Sequence, residues 1–305
     1  MHFIAAAVLV AAVAGGPADS TDSLLSGEID RLGAILTKVE PGVPKDLSEL
    51  VKAYRDALER ARAAKTPLLR LYRLRGAYSG IESLAFLAEH QAAGQDLDAF
   101  RTFWNGSRAR FEKPAPPARG SVVKKALQEA ATNRAEKLFR ASIAYAKVDS
   151  AGSGVYYVSE AEGNLRFREF VQSLPLDVSS TAKLPTAAKL GKALDALQGE
   201  AIQAFEKEPT GRSLLSVSAK LKETRELLDG KRLEAATLML LESRLELSKR
   251  APRPQTAQPA PAVGGADDEV IALWSEIADL ESPDNSRIIR ADVISLYTSL
   301  VRSSS

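Results

Sequence analysis

The most chemically equipped stretch of the chain is Tyr156-Tyr157-Val158-Ser159-Glu160-Ala161-Glu162. Two carboxylates are enough to cleave a glycosidic bond, one acting as acid and the other as base or nucleophile. Gly152-Ser153-Gly154, just upstream, reads as a flexible turn. That would place Tyr156, Tyr157, Glu160 and Glu162 near a helix start, where they could line a cleft. Helix positions two apart do not share a face, so Glu160 and Glu162 are poorly set to act on one bond. The same glutamates also fit a plainer role, complementing the dipole of the helix N-terminus while Tyr157 packs inside.

Other chemistries are excluded by residue type. The chain has no Cys, which removes disulfides, thiolate metal sites and a cysteine nucleophile. It has two His, and only His90 lies beyond the N-terminal segment. A two-histidine metal site within one chain is therefore impossible, and the Glu-x-x-His pairs of di-metal bundles are missing. His90 stands in Ala88-Glu89-His90-Gln91, where it fits a helix C-terminal turn. There is no Gly-x-Ser-x-Gly elbow, P-loop or Gly-x-Gly-x-x-Gly. The sequence thus predicts neither metal nor cofactor, and no catalytic residue beyond the carboxylate alternative.

Helices must position these residues. Apolar side chains recur at helical spacing, and no long stretch alternates with period two. Leu47, Leu50, Val51, Tyr54, Leu58 and Ala61 form one stripe. Thr66-Pro67 reads as N-cap and first helical residue of a helix running to about Ala92. Leu97 to Phe111 suggests another, with Asn105-Gly106 as a possible break. An Ala-rich helix spans Val123 to Tyr145, and a returning one Val155 to Leu174. Leu190, Leu194, Leu197, Ala201 and Phe205 make the cleanest stripe. Two further helices flank Asp229-Gly230. The segment Gly230-Lys231-Arg232-Leu233-Glu234-Ala235 resembles the Gly-x-Tyr-x-x-Ala turn of tetratricopeptide repeats, with Arg232 in place of Tyr; the resemblance covers this local hairpin alone. The fold class is all-α, either a multi-helix antiparallel bundle or a short tetratricopeptide-like solenoid of hairpins.

Composition divides the chain further. Phe3 to Ala14 is an uncharged apolar run ending in Ala12-Val13-Ala14, which predicts a signal peptide over 1–14 and an exported chain beginning near Gly15. No later run is long enough to cross a membrane. Residues 20–250 form the helical body, and 251–266 (APRPQTAQPAPAVGGA) form a Pro/Ala-rich linker. Residues 267–302 then form an acidic amphipathic hairpin, with Leu273, Trp274 and Ile277 as interface anchors.

Charge is uneven. Residues 52–75 carry eight basic side chains against two acidic ones, a basic face that includes Arg55, Arg62, Arg70 and Arg73. Residues 254–286 carry seven acids and no base. The hairpin can dock on its own body, bind a protein partner or self-associate; equally, both charged runs can be solvated faces. The basic face can also meet an anionic envelope polymer. Nucleic acid is not expected, because the basic stretches lack interleaved aromatics. These features favour an exported, soluble binding or scaffold protein of the cell envelope. The alternative is a carboxylate-dependent enzyme acting on an envelope polymer through Glu160 or Glu162.

Overall fold

Capping chemistry fixes where several helices begin. The Thr66 hydroxyl accepts from the Leu69 N–H and Pro67 follows it, as the sequence predicts. Asp96, Ser121 and Ser150 cap three more helices with their side-chain oxygens. Each such cap is worth about 1 kcal/mol. The computed structural model describes residues 21–43, 47–113, 115–176, 182–207, 212–249, 268–281 and 286–302. The expected signal peptide (1–14) and linker (251–266) lie outside the described residues.

Eleven α-helices and no strand occur among the described residues. They are α1 (Thr21–Val39), α2 (Ser48–Arg62), α3 (Pro67–Glu89), α4 (Leu97–Glu112), α5 (Val122–Val148), α6 (Ala151–Ser173), α7 (Ala187–Lys207), α8 (Arg212–Asp229), α9 (Leu233–Ser248), α10 (Glu269–Glu281) and α11 (Ser286–Val301). The fold is an all-α helical bundle. A solenoid would restrict each hairpin to its sequence neighbours. Here α3 packs on α6, α5 on α9, and α10 touches both α3 and α5.

Small residues set the helix spacing. At Gly163 of α6, an added Cβ would lie 2.1 Å from the Ser79 carbonyl oxygen of α3, so the two backbones cross in direct contact. Gly154 sits beneath Phe100 and Ala146, and Gly80 beneath the Tyr54 ring. Gly152-Ser153-Gly154 is not a turn. Ser150 caps α6 through the Ser153 N–H, and both glycines lie in the first helical turns, where Gly152 meets Gly94. Nor does Asn105-Gly106 break α4. That helix is held by aromatic contacts on both sides of the pair: Phe139 of α5 is stacked between Trp104 at 4.9 Å and Phe111 at 4.1 Å.

The largest apolar core joins α1, α2 and α3 to the start of α5, the end of α6, and the α10–α11 pair. Leu273, Trp274 and Ile277 are 2%, 1% and 1% exposed within it. Trp274 meets Tyr72 edge-on at 6.1 Å. Polar contacts seat the pair as well. The Thr66 hydroxyl donates to Glu276 (2.8 Å), Glu269 accepts the Val123 N–H (3.2 Å), and Arg244 donates to Asp292 (2.6 Å). A second core is built by α7, α8 and α9 around Leu194, Val217 and Leu240. No helix among the described residues is long and apolar enough to cross a membrane.

Candidate functional site

A cleft of about 390 Å³ opens where α8 and α9 meet α2, α3, α5 and α6. That size suits a small molecule. Its floor is the small-residue face of α3 at Arg75, Gly76, Ser79 and Gly80. No atom lies within 4 Å of where a Cβ on Gly76 would be, so the helix backbone is open to the cleft. Tyr54 from α2, Arg134 from α5 and Glu160 with Asn164 from α6 form one wall. Lys220 and Glu223 from α8, with Met239 and Glu242 from α9, form the other.

Three acids and three bases therefore share one cleft, and they are not equally engaged. Glu242 is buried and accepts from Arg75 at 2.9 Å, with Lys220 at 3.8 Å. Burial alone would raise its carboxyl, but Arg75 and Lys220 outweigh burial and hold it below the usual range. Glu223 moves the other way. Burial pushes its carboxyl up, and the pull of Arg134 and Arg75 does not cancel that. Among the described residues the Glu223 carboxylate makes no hydrogen bond or ion pair. Arg134 stands 3.9 Å from Glu160, too far for a hydrogen bond. Burial and the Glu160 charge raise the Tyr54 phenol far above its usual value, so it stays protonated.

The four residues singled out at 156–162 separate. Glu160 lines the cleft, and the Tyr156 hydroxyl donates to it at 3.3 Å. Tyr157 points elsewhere and stacks on Tyr145 at 3.9 Å. Its hydroxyl is pushed up to about 12 by the Tyr145 hydrogen bond and then by burial. Glu162 is buried on another face of α6, accepting from Arg110 (2.6 Å) and Arg166 (3.0 Å). Arg166 also donates to buried Glu82 (2.6 Å), which accepts from Arg31 (2.5 Å). This alternating chain of charges ties α1, α3, α6 and α4 together. Glu162 also borders a separate aromatic groove with Phe86, His90, Phe103 and Phe111. His90 stacks on Phe86 at 4.1 Å, and its Nδ1 lies 2.8 Å from the Phe86 carbonyl.

No family model, curated protein or solved structure matches this chain. Its function must be read from the geometry.

The basic face is largely matched within the molecule. Arg55 pairs with Glu40 (2.7 Å), Arg62 with Asp30 (2.7 Å) and Arg70 with Asp22 (3.0 Å). Two of these acids come from α1 and the third from the residue just after it. Arg73 has no partner among the described residues. Leu273, Trp274 and Ile277 are spent on the chain's own core.

Sequence reasoning missed Arg75, Arg134, Lys220, Glu223 and Glu242. A weak trace existed: Lys220 and Glu223 are three apart on one helix, and Arg75-Gly76 with Ser79-Gly80 is a small-residue face carrying a charge. Nothing local pairs Arg75 with a glutamate 167 residues away.

Proposed function

We propose that the chain is an exported helical binding protein of the cell envelope whose central cleft holds a small polar ligand. One observation carries this reading. Three groups that line the cleft, half-buried Glu223, exposed Arg134 and the half-buried Tyr54 hydroxyl, make no hydrogen bond to protein among the described residues. Polar groups that converge on a cavity and are not engaged by the fold are free to orient an occupant. Export is supported by the apolar run 3–14 and its small-residue cleavage pattern.

Thermal unfolding of residues 15–305 against panels of amino acids, dipeptides, amino sugars and uronic acids tests the binding. A saturating ligand should raise the Tm by several degrees, an effect that Glu223→Gln removes. A panel with no shift goes against it. A fusion of residues 1–20 to a reporter active only outside the cytoplasm tests export, and an inactive fusion overturns it.

A second reading rests on a different observation. One cleft holds two carboxyls not locked in a close ion pair, Glu160 on one wall and Glu223, pushed up by burial, on the other. A carboxyl raised toward its protonated form near a second acid is the pattern used in acid–base cleavage. This version of the carboxylate enzyme uses Glu223 as acid and abandons Glu162. Release of reducing ends from envelope glycan by the wild type, abolished in Glu223→Gln, would establish it.

A further inference from the structure

We infer that the occupant of the central cleft is a small zwitterion, an α-amino acid or dipeptide with free ammonium and carboxylate ends. The inference rests on the binding reading above and names its ligand class. Arg75 and Glu242 neutralise each other at 2.9 Å and are closed to a ligand. What remains is one base and one acid on each wall. Arg134 faces Glu160 across 3.9 Å. Lys220 stands 3.8 Å from Glu242 and 3.9 Å from Glu246, also beyond hydrogen-bond length. Glu223, on the same helix as Lys220, has no pair among the described residues.

A lone cation or lone anion in this cleft would meet one attractive and one repulsive group, and would add a net charge to a partly desolvated site. A zwitterion adds none. Its ammonium goes to Glu223 and Glu160, and its carboxylate to Arg134 and Lys220, whose guanidinium and ammonium lack close acceptors. The floor fits the same shape. Gly76 offers open helix backbone, which lets a peptide main chain approach closely, and Met239 with the Tyr54 ring supplies apolar contact for a short side chain. A cleft of about 390 Å³ is at the small end of small-molecule pockets, the scale of one or two residues.

The test is titration calorimetry on residues 15–305 with four probes: L-alanyl-L-alanine, its N-acetyl form, its C-terminal amide, and N-acetylglucosamine. The free dipeptide should bind, and blocking either end should weaken it by about tenfold or more, as loss of a charge-assisted hydrogen bond implies. Glu223→Gln should abolish the preference for a free amino end. Arg134→Gln should abolish the preference for a free carboxylate; Arg134 is more than half exposed, so the fold does not depend on it. Gly76→Leu places a side chain into open cleft and should block all binding while circular dichroism and Tm stay as in the wild type. Equal binding of free and blocked dipeptides, or binding of the sugar alone, overturns the zwitterion and leaves the binding site standing. No binding by any probe, together with no Tm shift in the wider panel, overturns both.

Discussion

Single atoms decide whether α3 and α6 can touch. A methyl group on Gly163 would overlap the Ser79 carbonyl, and neither backbone can move without shifting its helix. Gly163→Ala should therefore cost at least about 2–3 kcal/mol. Gly106, mid-helix in α4, has nothing within 4 Å of a built Cβ. Gly106→Ala should stabilise by about 0.5–1 kcal/mol, because it only removes backbone freedom from the unfolded chain. Urea unfolding of both variants checks the contrast, and equal effects would refute the crossing geometry. Trp274 makes a second residue-scale case. It is fully buried, yet its Nε1 has no hydrogen-bond partner among the described residues. Trp274→Ala should cost about 3–5 kcal/mol. Trp274→Phe should cost under about 1.5 kcal/mol, since it removes the orphaned donor along with some contact area. The sequence identified Trp274 as an apolar anchor through its helical spacing. It was silent on Gly163, because the atom that demands a glycine there belongs to a helix some 80 residues earlier, as the pairing of Arg166 with Glu82 likewise shows.

Among elements, the contact of α5 with α9 carries the clearest pH signature. Glu129 of α5 accepts the Ala235 N–H in the first turn of α9 at 3.1 Å. Burial, and then neighbouring Glu234, push its carboxyl up to about 7, against the pull of the Ala235 N–H and Arg232. The folded state then holds a proton that the unfolded chain has already released above its ordinary value of 4.5. Stability from this site is greatest at low pH and declines as pH rises from about 4.5 to about 7. Glu129→Gln should flatten that decline, read as urea midpoints at pH 5 and pH 7.5. A wild type equally stable at both values would remove the proposed linkage. Most elements were legible in advance because the cues were local: Thr66-Pro67 at the start of α3, and apolar stripes three and four apart. The first turns of α6 were misread because Gly-Ser-Gly suggests a turn in isolation. Those glycines are instead required by Gly94 and Phe100 packing against the helix, which no local pattern reports.

At the scale of the whole molecule, the acidic C-terminal pair completes a core that the body leaves open. Removing residues 250–305 strips Val270, Leu273, Trp274, Ile277 and Val293 from the largest cluster. The truncated chain should bind more apolar dye and unfold at lower temperature over a broader range. A truncated chain as cooperative as the full one would mean that the pair is a separate unit. The cleft was the least legible feature. It is built from α2, α3, α5, α6, α8 and α9, and only the spatial order of helices brings Arg75 to Glu242 or Arg134 to Glu160. The all-α class required no such knowledge. The seating of Trp274 also has a consequence in time. Thr66 and Glu276, joined across this core, are 210 residues apart. Synthesis at roughly 5–20 residues per second separates their appearance by ten seconds or more. Throughout that interval the N-terminal helices have no lid for their apolar faces. In a nascent chain of this kind those faces stay uncovered until α10 and α11 have been made, and the largest core closes only then.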